Sequence, residues 1–221
     1  MDSTTFFFLL SLSILFAAIL GVIKFRKMDP AYHPFVYYCC LAVLVEILVY
    51  ILLLNDMKYI VGTVYNFFAL AEFYLLTRMF HNWGLFKRKK NTFTGIIVLS
   101  FLLFACTLYI RGYNKINYFS KIVNSFALIF FSISAFNRMI QNERNNIFKN
   151  AKFWICIGMV IFFTYYILVN TEQLSFLNIK RTKAFEDKVW LINAYSNVFV
   201  NLLYAVAVIW IPRKKNIITL F

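Results

Sequence analysis

Acidic residues are scarce in this chain, with 9 Asp and Glu against 23 Lys and Arg in 221 residues and a formal net charge of +14. Charged residues of both signs make up only 14% of the sequence, while 62% is hydrophobic, 20% is aromatic and the mean hydropathy is +0.71. Such a composition excludes an ordinary water-soluble domain. The positive charge is also not that of a nucleic-acid-binding surface. It falls in short clusters between apolar runs (Lys24, Arg26 and Lys27; Lys87 to Lys90; Arg213 to Lys215), the placement of topology signals and of contacts to anionic lipid.

Cysteine, histidine, proline and glycine are equally sparse. Cys39, Cys40, Cys106 and Cys156 all lie within apolar runs without a CxxC, which excludes a disulfide framework and a zinc site and leaves them as small apolar filler. His33 and His81 are the only histidines, on different helices and without a companion ligand at metal spacing. A zinc hydrolase of the seven-helix ceramidase or receptor-like kind is therefore not expected, and neither is a metal or cofactor. The three prolines, Pro30, Pro34 and Pro212, flank apolar runs, and the six glycines form no GxxxG pair. The midplane helix breaks by which many transporters expose backbone to substrate are therefore missing. No lysine stands midway along the last apolar run, which excludes retinal chemistry.

What remains is a succession of long apolar stretches. Seven of them reach the roughly 20 residues that a helix needs to cross about 30 Å of hydrocarbon. They are Phe6 to Ile23, Phe35 to Leu54, Tyr59 to Thr77, Phe93 to Ile110, Tyr118 to Asn137, Phe153 to Val169 and Val189 to Ile211. The expected fold is all-α, one seven-helix transmembrane domain over 1–221. The longest connection, Asn170 to Lys188, has no room for an appended module. The first stretch carries its positive charge after rather than before it, so it is expected to remain in the mature protein. Counting Lys and Arg in alternate connections gives 15 on the side of the C-terminus and 8 on the other, which predicts N-out and C-in topology. Trp83, Trp154, Trp190 and Trp210 near helix ends match interfacial aromatic belts.

Polar groups inside hydrocarbon are costly and therefore informative. Two carboxyls qualify, Glu46 on the second helix and Glu72 on the third, at depths close enough for a shared pair. On the seventh helix Asn193, Asn197 and Asn201 recur every four residues and line one face, continued by Trp190 and Tyr204. Depth puts Asn197 at the level of Glu46 and Asn201 at that of Glu72. On the fifth helix Lys121, Asn124, Ser125 and Ser132 make a second stripe. Tyr65 and Asn66 on the third helix and Tyr165, Tyr166 and Asn170 on the sixth add hydrogen-bonding groups. Interhelical packing contacts account for such groups singly. Their number predicts an outward-opening polar cavity with Glu46, Tyr65, Asn66, Glu72, Asn124, Ser125, Tyr165, Asn193, Asn197 and Asn201 as its candidate ligand-binding residues. Lys121, one turn from a helix end, is expected to snorkel to the headgroups. Leu174, Phe176, Leu177 and Ile179 are candidates for a lid.

Helix count, topology and layout over the whole chain resemble the seven-helix sensing modules of bacterial membranes, which pass a signal to a kinase or other output domain. The resemblance implies a small-molecule ligand outside and, since no output domain follows Arg213 to Phe221 here, a separate signalling partner in the cytoplasm or membrane. Seven helices in this length are also similar to the sugar-transporter fold and to vitamin-precursor carriers, although the PQ-type prolines of the former are absent. A small-molecule transporter is thus the alternative, and a carboxylate-dependent intramembrane enzyme using Glu46 and Glu72 the second; no nucleophile and base occur together, so catalytic residues are not expected. The abundance of Phe, Ile, Asn, Lys and Tyr suggests an AT-rich bacterial genome and a multi-pass protein of the inner membrane, with the lipid bilayer as its first partner and no nucleic acid.

Overall fold

The computed structural model describes residues 3–86, 91–112, 115–142, 147–172 and 183–214. Within them the chain is helical: α1 (Ser3–Ser11), α2 (Leu15–Lys24), α3 (His33–Leu54), α4 (Lys58–Asn82), α5 (Thr92–Arg111), α6 (Tyr118–Asn142), α7 (Ala151–Glu172) and α8 (Lys183–Trp210). Helices α1 and α2 are one span, Thr5–Lys24, joined through a 3₁₀ turn at Leu12–Ile14. Seven helices are long and apolar enough to cross a membrane, from the first span with a mean hydropathy of 2.8 to α4 with 1.4. They are compatible with a multi-pass membrane protein. Large apolar side chains such as Leu44, Leu99, Phe126, Phe130 and Leu168 point outward, where lipid rather than water is their natural neighbour.

Local chemistry sets the helix ends. The Asp29 carboxyl accepts from the Ala31 N–H at 2.9 Å and caps the 3₁₀ turn Pro30–Tyr32 that leads into α3, with Pro34 in the first turn where no N–H is needed. Asp56, at φ 54°, reverses the chain between α3 and α4, and the Asn55 amide donates to the Ile51 carbonyl at 2.8 Å. After α4, Gly84 at φ 83° takes the left-handed position, and Leu85 N–H returns to Phe80 O at 3.1 Å. Pro212 follows α8 and stops it. Several helices outrun the expected spans: α4 continues past Thr77 to Asn82, α6 past Asn137 to Asn142, and α8 starts at Lys183 instead of Val189. The added turns hold polar residues that a hydropathy criterion leaves out, although nothing in the backbone requires a helix to stop where hydrocarbon does.

The first span, α3, α4, α6, α7 and α8 each pack against the next, and α8 returns to the first span. These six close a ring. Helix α5 stands outside it, against α4 and α6, and only 11% of its most apolar window is buried. The ring is packed most densely towards the end where the chain finishes. Tyr204 of α8 meets Phe35 and Tyr38 edge to face, at centroid distances of 5.2 and 6.3 Å. Its ring lies against Gly158 of α7, where a Cβ would come within 2.6 Å of Tyr204 Cε1. Single glycines thus provide the close approach that a GxxxG pair would supply; Gly21 does the same opposite Val36, at 2.8 Å. At this end the first connection and the segment after α8 pair as two extended strips. Met28 bridges Arg213, Asp29 N–H donates to Pro212 O at 2.9 Å, and Lys214 N–H donates to Lys27 O at 2.8 Å. Lys24 Nζ donates to the terminal carbonyls of α8, at 2.8 Å from Ile209 O and 3.4 Å from Val208 O.

Candidate functional site

The end where the chain begins is less tightly filled. A cavity of about 400 Å³ opens there, lined by Phe7, Phe8 and Ser11 of α1, Glu46, Val49, Tyr50 and Leu53 of α3, Tyr65 of α4, and Trp190, Asn193, Ala194 and Asn197 of α8. Glu46, Tyr65, Asn193 and Asn197, four of the expected site residues, meet here. Asn197 shares the cavity with Glu46, as their depths predict. Phe8 and Tyr50 stack at 4.0 Å and 7° and form one wall, closing α1 onto α3. The Ser11 hydroxyl donates to Phe8 O at 2.9 Å and lies beside the Glu46 carboxyl. Neither Asn193 nor Asn197 has a hydrogen-bond partner among the described residues, so both amides remain available to an occupant.

The backbone of the first span is shaped by the same serines. Ser11 and Ser13 each donate a hydroxyl to a carbonyl three residues back, Phe8 O and Leu10 O, where the helix tightens into its 3₁₀ turn. Asn201 donates across to Ser13 Oγ at 2.8 Å and ties α8 to that turn. Asn201 is therefore a packing contact beneath the cavity and not one of its walls.

Glu72 occupies a different place. It is 6% exposed and faces a pocket of about 10 Å³, room for a single water at most. Lys121, Asn124, Ser125 and Tyr166 share that pocket, and the Tyr38 hydroxyl is within hydrogen-bond reach of the carboxyl. Its Oε1 has no hydrogen-bond partner among the described residues. The two carboxyls thus form no shared pair: each has its own chamber. Lys121, contrary to the expectation of snorkelling, is 7% exposed and reaches inward, with Nζ 5.4 Å from the centroid of the Tyr65 ring. Tyr65 stands between the two chambers, lining the open one and carrying the Lys121 ammonium that faces the closed one.

Of the other expected site residues, Asn124 and Ser125 line the closed pocket, but both are engaged. Ser100 donates to Asn124 Oδ1 at 3.0 Å, fastening α5 to α6, and the Ser125 hydroxyl donates to Lys121 O at 2.8 Å. Asn66 holds the connection between α5 and α6, donating to Lys115 O and accepting from Asn117 N–H, both at 2.8 Å. Asn117 in turn donates to the Thr107 hydroxyl. Tyr165 is 39% exposed on the outside of the bundle and lines neither chamber. Ser11, Tyr50 and Trp190 line the cavity without having been among its expected residues; Trp190 was signalled by its place on the asparagine stripe, whereas Tyr50 and Ser11 carry no sequence signal beyond being polar in an apolar run. The proposed lid residues Leu174, Phe176, Leu177 and Ile179 lie outside the described residues.

No group of three or more His, Cys, Asp and Glu side chains placed to hold a metal ion occurs among the described residues. Comparison of the chain with protein-family models, with characterised proteins and with solved structures finds no match.

Proposed function

We propose that this protein is a receptor-like or accessory sensing module of a bacterial inner membrane, lying N-out and C-in, which binds a small molecule in the Glu46 cavity and passes its occupancy to a separate signalling partner. The observation that carries this reading is the one-ended cavity: about 400 Å³ lies open at the end where the chain begins. At the other end the ring is filled by Tyr204, Phe35 and their neighbours and clasped by the pairing of Met28 with Arg213. Ligand entering on one side meets a dense floor. Tyr65 lines the cavity and has the Lys121 ammonium over its ring, so an occupant pressing on it bears on Lys121, which shares the closed pocket with Glu72. The basic connections at the opposite end offer a surface for a partner.

A second reading, a small-molecule transporter, draws support from the buried Glu72 and Lys121, because ionisable groups at that depth often mark transport paths. One pair of experiments tests both. A thermal-shift screen of the purified protein against a metabolite library should give a hit that raises Tm and is lost in Asn197→Leu, since a ligand that binds only the folded form stabilises it. Uptake of that hit into proteoliposomes then decides: accumulation favours the carrier, and binding without accumulation favours the sensor.

A further inference from the structure

The chain is strongly basic, yet its main cavity contains one carboxyl and no Lys, Arg or His among its lining residues. We infer that the Glu46 cavity takes a small organic cation, an ammonium group on a compact apolar body. The inference rests on the reading of this cavity as a ligand site and adds the chemical class of its occupant.

Five of the lining residues are aromatic: Phe7, Phe8, Tyr50, Tyr65 and Trp190. Phe8 and Tyr50 spend one face each on their mutual stack, and Tyr65 has the Lys121 ammonium over its ring. Trp190 makes no ring contact among the described residues, and indole is the strongest of the aromatic partners for a cation. Glu46 supplies the opposite charge on α3, across the cavity from the α8 face that carries Trp190. An ammonium between them meets both a carboxylate and a π-face in a partly enclosed site, where each attraction is stronger than in open water. The amides of Asn193 and Asn197 then take a hydroxyl or carbonyl on the ligand's tail.

Other occupants fit less well. An anion would meet the Glu46 charge with only neutral donors and no cation among the lining residues to hold it. A purely apolar molecule would bury the carboxyl and both amides without partners. A metal ion calls for several oxygens converging at about 2.0–2.6 Å, whereas this chamber is roomy and has a single carboxyl among its lining residues. Lys58, at the start of α4, and Lys188, one turn and a half into α8, are exposed, and Lys58 pairs with Asp56 at 3.5 Å; water and salt screen them.

The test uses the full chain in a maltoside detergent, free of choline-like headgroups. Choline is titrated beside 3,3-dimethyl-1-butanol, its uncharged carbon isostere, with phenethylamine as a second cation and benzoate as an anion, and binding is read by Tm and calorimetry. At least one cation should bind saturably and the isostere at least about tenfold more weakly. Glu46→Gln should cost at least about tenfold in affinity while the Tm of the free protein holds, and Trp190→Leu should weaken the cation more than the isostere. Equal binding of choline and isostere overturns the inference, as does benzoate binding indifferent to Glu46→Gln, or the failure of both cations at millimolar concentration. So does a co-purifying lipid in the cavity that Glu46→Gln does not release. If a neutral or anionic metabolite binds and is lost in Asn197→Leu, the cavity remains a ligand site and only the cation assignment falls; if neither the cations nor the library bind, both fall together.

Discussion

Glu46 and Glu72 stand on neighbouring helices, α3 and α4, but the chambers around them differ in size, in charge and in what closes them. Around Glu72 the space is that of one water, and a lysine on α6 faces it. Around Glu46 there are about 400 Å³, aromatic rings, uncommitted amides and no counter-charge. A buried carboxyl that shares its pocket with a lysine has its counter-charge built into the fold, and removing either leaves the other without it. A carboxyl without one is inert to the fold and is answerable to whatever enters. The same residue type thus serves packing in one chamber and recognition in the other, and the surroundings alone separate them.

The sharpest way to break this contrast is Lys121→Met. Stranding Glu72 should cost on the order of 3–5 kcal/mol, read as a fall in Tm in detergent and in folded yield, and the double variant with Glu72→Gln should recover much of it. An undiminished Tm for Lys121→Met would mean that the two charges do not depend on each other. Next in size is Gly158→Ala, which drives a methyl into the Tyr204 ring at the floor of the bundle and should cost about 1–3 kcal/mol in the same melts. It tests whether the dense end supports the open one, for ligand affinity should fall only as far as the protein loosens. The smallest effect belongs to Glu46→Gln, which should leave the Tm of the free protein within about 0.5 kcal/mol of wild type. A large loss there would move Glu46 into the same structural class as Glu72.

Which parts of this arrangement are legible from the sequence follows from the range of the interactions involved. The seven spans are written in hydropathy, and the end of α3 at Leu54 falls where expected because Asn55 and Asp56 carry the turn chemistry locally. The interior of the first span is not legible in that way. Ser11 and Ser13 are two polar residues in an apolar run, and only the backbone shows that they border a 3₁₀ turn. In the site, helical periodicity and depth suffice to bring Asn193, Asn197, Glu46 and Tyr65 together, because α3, α4 and α8 are uninterrupted helices over which residue counting holds. Periodicity says nothing about which neighbour a polar side chain finds. Asn66 is spent on a connection, Asn201 on Ser13, and Tyr165 faces outward, although all three read as cavity groups. Lys121 departs from expectation for a related reason: its distance from the helix end allows snorkelling, but Tyr65 and Glu72, more than 45 positions away in the chain, are its neighbours inside the bundle.

The seam between the first span and α8 sets an order of assembly. Lys24 donates to carbonyls of Val208 and Ile209, and residues 27–29 pair with 212–214, so the first span, already packed on α3, gains its second neighbour only once α8 is in place. Until then the growing bundle has an unsealed flank, in which Ser13 lacks Asn201 and Glu46 lacks the wall of Trp190 and the asparagines. Contacts of such long sequence separation form late. A chain interrupted before α8 would thus hold the six earlier spans without the wall that Trp190, Asn193, Ala194 and Asn197 give the cavity.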